Sequence, residues 1–502
     1  MHRPNDTAGR SGSVRARLAP LLLAAALAAA GCASTHGLAP EARATDPDTL
    51  QAARTLAGAG AGLSAAAFPE RDWWKALGDP QLDALVDEAL QGTPSLQAAD
   101  ARVREAQAQA ALVDASHKPD LSASAQATAV QLPETVAPAP IGGELQKTGV
   151  LMLNFKWSPD LWGGQRAQYE AAVGQVRAAE VDAQAARLVL ASNVARTYAA
   201  LAQAHEAQDV ANREIERSGG LLELGRQRVE AGLDNQLQLR QAESAIASAR
   251  QQAQAAQQQI DALRNALAAL LGQGPDRGLA IGRPRLLDAP APGVPAVMPS
   301  ELLGHRPDVV AARWRVEAAA RGIDATKATF KPSINLSAIV GLAAPTLSDL
   351  FSSDALLGFG GPALSLPIFD GQRLRADLAR SDAQYDLAVA NYNQSLVGAL
   401  REVADALQAA RSLDAQAASA TEARDAARRA FELANLRYKA GLGTQLDVLS
   451  AQRPLLQLEQ QLAGLRAQRY AAAIDLDRAL GGGLELPATP HSASPSTAST
   501  NP

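Results

Sequence analysis

Residues 93–125, TPSLQAADARVREAQAQAALVDASHKPDLSASA, and residues 306–338, RPDVVAARWRVEAAARGIDATKATFKPSINLSA, are two copies of one phrase. Pro94 aligns with Pro307 and Pro119 with Pro332, both 213 positions apart. Each copy opens with helix-forming residues, stops at a Lys-Pro, and switches to alternating small apolar and polar residues. That order, written twice, decides the fold: the chain is an internal duplication, which a search for repeats has to find before anything else.

Further blocks recur in the same sequence order. SPDLWGGQRAQYEAA matches LPIFDGQRLRADLA, with Gly164 and Gly371 207 positions apart. VEAGLDNQLQLR, Val229 to Arg240, matches YKAGLGTQLDVL, Tyr438 to Leu449, at 209, as does Leu271-Gly272 with Leu480-Gly481. The offset drifts only between blocks, where loops belong. Each half therefore reads as a helix (about 94–116 and 307–329), two strands, a very long helix to a Gly-Leu tip, and a long returning helix. Gln165 to Glu230 and Gln372 to Lys439 contain no proline, so each helix has room for about 100 Å at 1.5 Å per residue. Val181, Leu188, Ala195 and Ala202 recur every seven residues, with Ala185, Ser192 and Ala199 as a second seam, a pattern that supports left-handed supercoiling. Pro454 lies in the last returning helix and weakens its hydrogen-bond ladder.

In VLMLNFKWS, Leu151, Leu153, Phe155 and Trp157 share one face, and Met152, Asn154, Lys156 and Ser158 the other. LSASAQATAV alternates in the same rhythm. Such dyads suit transmembrane barrel strands, but an ordinary half-buried sheet alternates identically. After the leader, no run approaches the ~20 apolar residues of a membrane helix, so crossing a membrane would take strands. Four strands do not close a barrel, and lipid tolerates no open edge, so a membrane reading demands several copies of the chain.

The N-terminus carries an address. Arg3, Arg10, Arg15 and Arg17 precede the short apolar run LAPLLLAAALAAA, and AAGCAS follows with Cys32, the single cysteine of 502 residues. An internal disulfide is therefore excluded. Small residues leading into Gly-Cys resemble a bacterial lipobox, which implies cleavage after residue 31 and a diacylglycerol on the Cys32 sulfur. Ala29 departs from the usual leucine of that motif, and an ordinary signal peptide is the alternative. Ala33 in place of aspartate implies outer-membrane delivery, by the same resemblance. Residues 33–68 read as a small, polar tether, and the Ser/Thr/Pro-rich tail after Leu486 as disordered.

Aromatic residues make up only 4% of the chain, and Ala, Gln, Arg and Glu fill long stretches, which favours helical walls over a large aromatic core. A formal charge of −5, with no basic block interleaved with aromatics, gives no reason to expect nucleic acid. The six histidines (2, 36, 117, 205, 305, 491) have no metal-ligand spacing, and neither a phosphate-binding loop nor a nucleophile elbow is present. His305 reads as a helix-entry residue, and Asp475 and Asp477, two apart, do not share a helix face. No enzyme, metal or cofactor is expected.

Three blocks, WWKALGDPQLDALVDEAL from Trp73, LLGHRPDVVAARWRVEAAARGIDATKATFKPSINLSA from Leu302 and RYKAGLGTQLDVLSAQR from Arg437, resemble the outer membrane factor family. These are the TolC-like exit ducts of tripartite efflux and type I secretion systems, and the match is to the lipoprotein branch serving resistance-nodulation-division pumps. With the duplication, the resemblance covers about residues 70–483. It implies an α+β membrane protein: a homotrimer with a 12-stranded transmembrane β-barrel continued by a long periplasmic α-helical barrel. The organisation expected is a signal peptide over 1–31, a lipidated tether over 32–68, a first repeat over 69–283, a second over 284–483 and a tail over 484–502.

The resemblance further implies an outer-membrane efflux duct, passive and energised by an inner-membrane pump. Hairpin tips at Gly232-Leu233 and Gly441-Leu442 would meet a periplasmic adaptor. Asp447 matches an aspartate lining the closed aperture, and Tyr438 a tyrosine of its constraining network. Ser450 stands where some members carry a second acid, which puts a double carboxylate ring in doubt. A type I secretion channel is the alternative. A periplasmic adaptor would carry one hairpin rather than two, and a structural coiled-coil lipoprotein would lack the alternating strands.

Overall fold

The computed structural model describes residues 34–50, 69–133, 135–136, 138, 142–285, 305–346, 348–367 and 369–483. The leader, the Cys32 anchor and the tail lie outside the described residues. After a short helix α1 (Pro80–Leu90), one order is repeated. The first pass is α2 (Pro94–Ser116), β1 (Asp120–Gln131), β2 (Leu145–Trp157), α3 (Gly164–Glu230) and α4 (Gln236–Leu270). The second is α5 (Pro307–Ala328), β3 (Ser333–Ala344), β4 (Leu356–Ser365), α6 (Gly371–Lys439) and α7 (Gln445–Ala479). The duplication, the strands and the long helices stand where the sequence puts them. Helix α1, capped by the Asp79 carboxylate on the Gln81 N–H at 3.0 Å, is an element the repeat comparison does not reveal.

The chain divides into two compact units. The first, residues 34–44, 104–177 and 313–391, holds the sheet. All four strands pair antiparallel in the order β1-β2-β3-β4, leaving β1 and β4 as edges. Register fixes the faces, because directly paired residues point the same way. Leu121 pairs with Phe155 and Phe155 with Ala338; Leu153 pairs with Val340; Leu151 pairs with Leu342 and Leu342 with Leu356. One face is thus apolar across all four strands. The other carries Ser122, Ser124, Asn154, Lys156 and Ser337, with Asn154 Nδ2 donating to Ser124 Oγ at 3.3 Å. Leu350 and Ala355 cover one end of the apolar face, at Leu342 and Ala344, but Leu121 and Leu153 are 69% and 50% exposed, so among the described residues much of it lies open. Where α3 leaves the sheet it lies so close to α5 that a Cβ on Gly174 would stand 2.9 Å from that of Ala318.

The tether expected over 32–68 is, in its described part, a docked strap. In the first unit Leu38 packs on Ile323, Phe330, Leu374 and Leu378, and the Glu41 and Ala42 N–H groups donate to Asp386 Oδ1 at 3.1 and 2.8 Å. In the second, the Thr45 N–H donates to Asn393 Oδ1 at 2.8 Å and Leu50 packs on the Leu400–Val403 cluster. Small polar composition hides this docking because its hydrogen bonds come from backbone, which any residue supplies.

The second unit comprises residues 45–103, 178–312 and 392–483. Its core gathers Trp73, Trp74 and Leu77, the buried face of α1, Leu190, Val194, Tyr198 and Leu201 of α3, Ile260 and Leu267 of α4, and Tyr470 and Ile474 of α7. Its buried hydroxyls are satisfied: Tyr198 donates to Asp79 Oδ2 at 2.7 Å and Tyr470 to the Leu77 carbonyl at 3.2 Å. The Arg306-Pro307-Asp308 phrase has a physical job here. Arg306, 5% exposed, donates through Nη1 to the Ala479 carbonyl at 2.9 Å, closing the end of α7. Its Nη2 meets Asp308 at 2.7 Å and Glu402 at 2.9 Å, so its charge is compensated. Among the described residues, no helix is long and apolar enough to cross a membrane.

Candidate functional site

The two hairpin tips both belong to the second unit and use one backbone device. Gly232 and Gly441 adopt φ of +68° and +73°, the left-handed conformation that ends a helix and that β-carbon-bearing residues resist. Behind each glycine a backbone N–H closes the turn: Leu233 to the Arg228 carbonyl and Leu442 to the Arg437 carbonyl, both at 2.8 Å. The returning helix then starts with a capping box in each case. At the first tip, the Asn235 side chain accepts from the Leu237 N–H at 2.9 Å, and Gln238 Oε1 accepts from the Asn235 N–H at 3.0 Å. At the second, Asp447 Oδ2 accepts from both the N–H and the hydroxyl of Thr444 at 2.8 Å. These bonds, the backbone one foremost, hold the exposed Asp447 carboxyl below the ordinary carboxylate range. Gln238 and Asp447 therefore do the same local work, one neutral and one charged.

The acids of the two tips are exchanged rather than added. At the offset of 209, Asp447 answers Gln238, and Asp234 of the first tip answers Gly443 of the second. The structure spends Asp234 on a lock between the hairpins. Tyr438, fully buried at the end of α6, donates its hydroxyl to Asp234 Oδ2 at 2.6 Å. Arg228 Nε donates to the same oxygen at 2.9 Å, and its guanidinium stands 4.7 Å from the centre of the Tyr438 ring. Burial first, and then the bond to Asp234, push the Tyr438 hydroxyl above the usual tyrosine range, so it remains a donor at neutral pH. The structure thus brings Tyr438 together with Arg228 and Asp234, two residues missed in the sequence. Asp447 does not join them. An acid directly after one Gly-Leu tip and absent from the other was the available signal. Ser450 donates to the Asp447 carbonyl at 2.9 Å, within α7.

Away from the tip, α3 and α7 continue in alternating layers. Leu221 and Val448 pack with Tyr438 in an apolar layer. Beyond it, Gln452 Nε2 donates to Ser218 Oγ at 3.1 Å and to Glu214 Oε1. Glu214 also faces Arg217 Nε at 3.2 Å, and Arg217 reaches Glu459 at 2.8 Å. Burial raises the Glu214 carboxyl against the opposing pull of Arg217. Helix α7 runs unbroken through Pro454, which has no N–H to offer the Ser450 carbonyl one turn back. Leu233 and Leu442 are 65% and 72% exposed. With Leu237 and Leu446, also exposed, they repeat one apolar pair at both tips.

Among the described residues no group of three or more His, Cys, Asp or Glu side chains is arranged to hold a metal. The geometry is that of a fastening between hairpins.

The family model described as "Outer membrane efflux protein" matches residues 85–273 and 298–482, the two repeats in turn. The fusaric acid resistance protein FusA of Burkholderia cepacia is 40% identical over 383 residues, 74% of this chain and 71% of its own. The multidrug resistance outer membrane protein MdtP of Escherichia coli K12 is 32% identical over 432 residues, 84% and 88% of the two chains. Among solved structures, the outer membrane protein VceC of Vibrio cholerae superposes with a TM-score of 0.77 at 38% identity, over 83% of this chain and all of its own.

Proposed function

The chain belongs to the outer membrane efflux protein family, and on that premise we propose that three copies build one exit duct whose periplasmic aperture is fastened by the hairpin tips. The chain is an outer-membrane efflux component that extends into the periplasm. The observation that carries the trimer is the open sheet. Four strands with one apolar face and two unpaired edges are stable in lipid only when the edges close. Three such sheets make a barrel of twelve strands, a size within the known range.

The duct is passive, so a pump in the inner membrane and a periplasmic adaptor supply drive and continuity. The adaptor meets the tips at Gly232, Leu233, Gly441 and Leu442, where four leucines stand exposed around two rigid turns. Tyr438, through Asp234 and Arg228, keeps the second hairpin on the first. Asp447 adds one carboxylate per copy to the rim, with Ser450 one turn behind it. Cys32 carries the lipid that tethers the strap to the membrane, over the organisation read from the sequence: leader 1–31, anchor segment 32–68, repeats 69–283 and 284–483, tail 484–502.

Detergent-extracted protein should migrate as a stable trimer and conduct ions in planar bilayers; a monomer released without detergent overturns the duct. Asp447→Gln separates charge from capping, because Gln238 caps the first tip without charge. It should leave trimer stability unchanged and alter cation block of the closed channel. Incorporation of labelled palmitate should vanish in Cys32→Ser. A deletion strain tested against a compound panel that includes fusaric acid reports the cargo.

A further inference from the structure

One side chain of the seam near the tip stands outside the lock. Gln445, the first residue of α7, is fully buried, and among the described residues neither its Nε2 nor its Oε1 has a hydrogen-bond partner. Its neighbour on α3 is Gly225, where a Cβ would lie 3.8 Å from Nε2 and 3.9 Å from Oε1, so no side chain there reaches the amide. The counterpart in the first hairpin, Gln236, opens α4 in the same way but is exposed to solvent. One glutamine in two copies is thus hydrated at one tip and stranded at the other.

A primary amide offers two donors and an acceptor with two lone pairs. Burying it with none of these used forfeits its bonds to water with no return. That penalty exists only while α7 lies against α3, because a tip that swings away rehydrates the amide. A group whose solvation differs between two states biases the equilibrium between them by that difference.

We propose that Gln445 is a built-in opener of the aperture, set against the Tyr438–Asp234–Arg228 lock. The lock holds the second hairpin on the first; the stranded amide pushes it off. Their opposition keeps the closed state strong enough to seal and weak enough for an adaptor to release. The layer above it, Leu221 with Val448, shows that an apolar side chain suits this seam, so the amide is not a packing requirement.

The inference rests on the aperture reading, and the experiment separates the two. Single-channel open probability is measured in planar bilayers for the wild-type trimer, Tyr438→Phe, and Tyr438→Phe combined with Gln445→Leu or with Gly225→Ser. Trimer recovery and melting temperature are checked for each. Tyr438→Phe alone should open the channel. Gln445→Leu removes the stranded amide and should lower open probability in that background by about tenfold. Gly225→Ser leaves the amide in place and brings a hydroxyl within its reach, so it should lower open probability in the same direction by a smaller factor. If Tyr438→Phe opens the channel and both additions leave it equally open, the opener is overturned and the aperture stands. If Tyr438→Phe leaves the wild-type conductance unchanged, the aperture reading falls and takes the opener with it.

Discussion

The same two helices meet twice in different chemistry. Far from the tips, Leu190, Val194, Tyr198 and Leu201 of α3 share a core with Tyr470 and Ile474 of α7. Near the tips, Glu214, Arg217, Ser218, Gly225 and Arg228 of α3 lie among Gln445, Gln452 and Glu459 of α7 and Tyr438 of α6. Both stretches are buried, so burial does not distinguish them. Apolar packing is non-directional and tolerates small slides. A buried polar layer is stable in one register and costly in any other. On the proposed aperture, the far stretch stays shut and the near stretch is the one that chooses between two positions.

The largest test removes Arg217. With Glu214 losing the cation that faces it and Glu459 keeping only the more distant Arg428, at 3.7 Å, Arg217→Met should destabilise the trimer by roughly 3–5 kcal/mol in thermal unfolding. Adding Glu214→Gln and Glu459→Gln should return most of that loss, because the cost is uncompensated charge rather than lost volume. Ile474→Ala in the far stretch should cost about 2–5 kcal/mol, through a cavity no polar substitution nearby repairs. Recovery in the second case, or none in the first, would collapse the distinction between the two seams.

Tyr438→Phe keeps the ring over Arg228 and removes one bond to a carboxylate, about 1.5–3 kcal/mol. Its effect should appear in conductance and leave the trimer's melting temperature nearly unchanged. Thr444→Ala removes the N-cap of α7 for about 1 kcal/mol, read as faster hydrogen exchange in the first turn of α7. A further effect depends on pH. Burial holds the Asp477 carboxyl up to about 7 against an ordinary 3.8. The folded chain keeps a proton there that the unfolded chain loses, so stability falls as pH rises between those values and is level above about 7. Asp477→Asn should flatten that slope in melting temperatures taken from pH 4 to 8.

The sequence made the frame legible because the frame is periodic. Two Lys-Pro stops, alternating strands and long proline-free helices each leave a local signature, and the duplication checks one half against the other. The returning helices and Gly-Leu tips followed for the same reason. Asp447 was visible as a charge difference, yet its capping role needed geometry, since Thr444 and Asp447 at spacing three do not announce which atoms meet. Asp234 and Arg228 were missed because their partner Tyr438 lies 204 and 210 positions away. Comparing the copies also draws the eye to Asp447, where only the second tip is charged, and away from the acid in the first. The docked strap stayed hidden because backbone N–H groups do its binding.

The exchange of acids between the tips has a genetic consequence. Tyr438 answers Val229, and Arg437 answers Arg228, at the same offset of 209. A chain made of two first halves would own aspartate and arginine without the tyrosine; two second halves would own tyrosine and arginine without the aspartate. Either product would still fold its hairpins, and neither could fasten them. Gene conversion of either copy by the other would therefore remove one partner of the Tyr438–Asp234 bond.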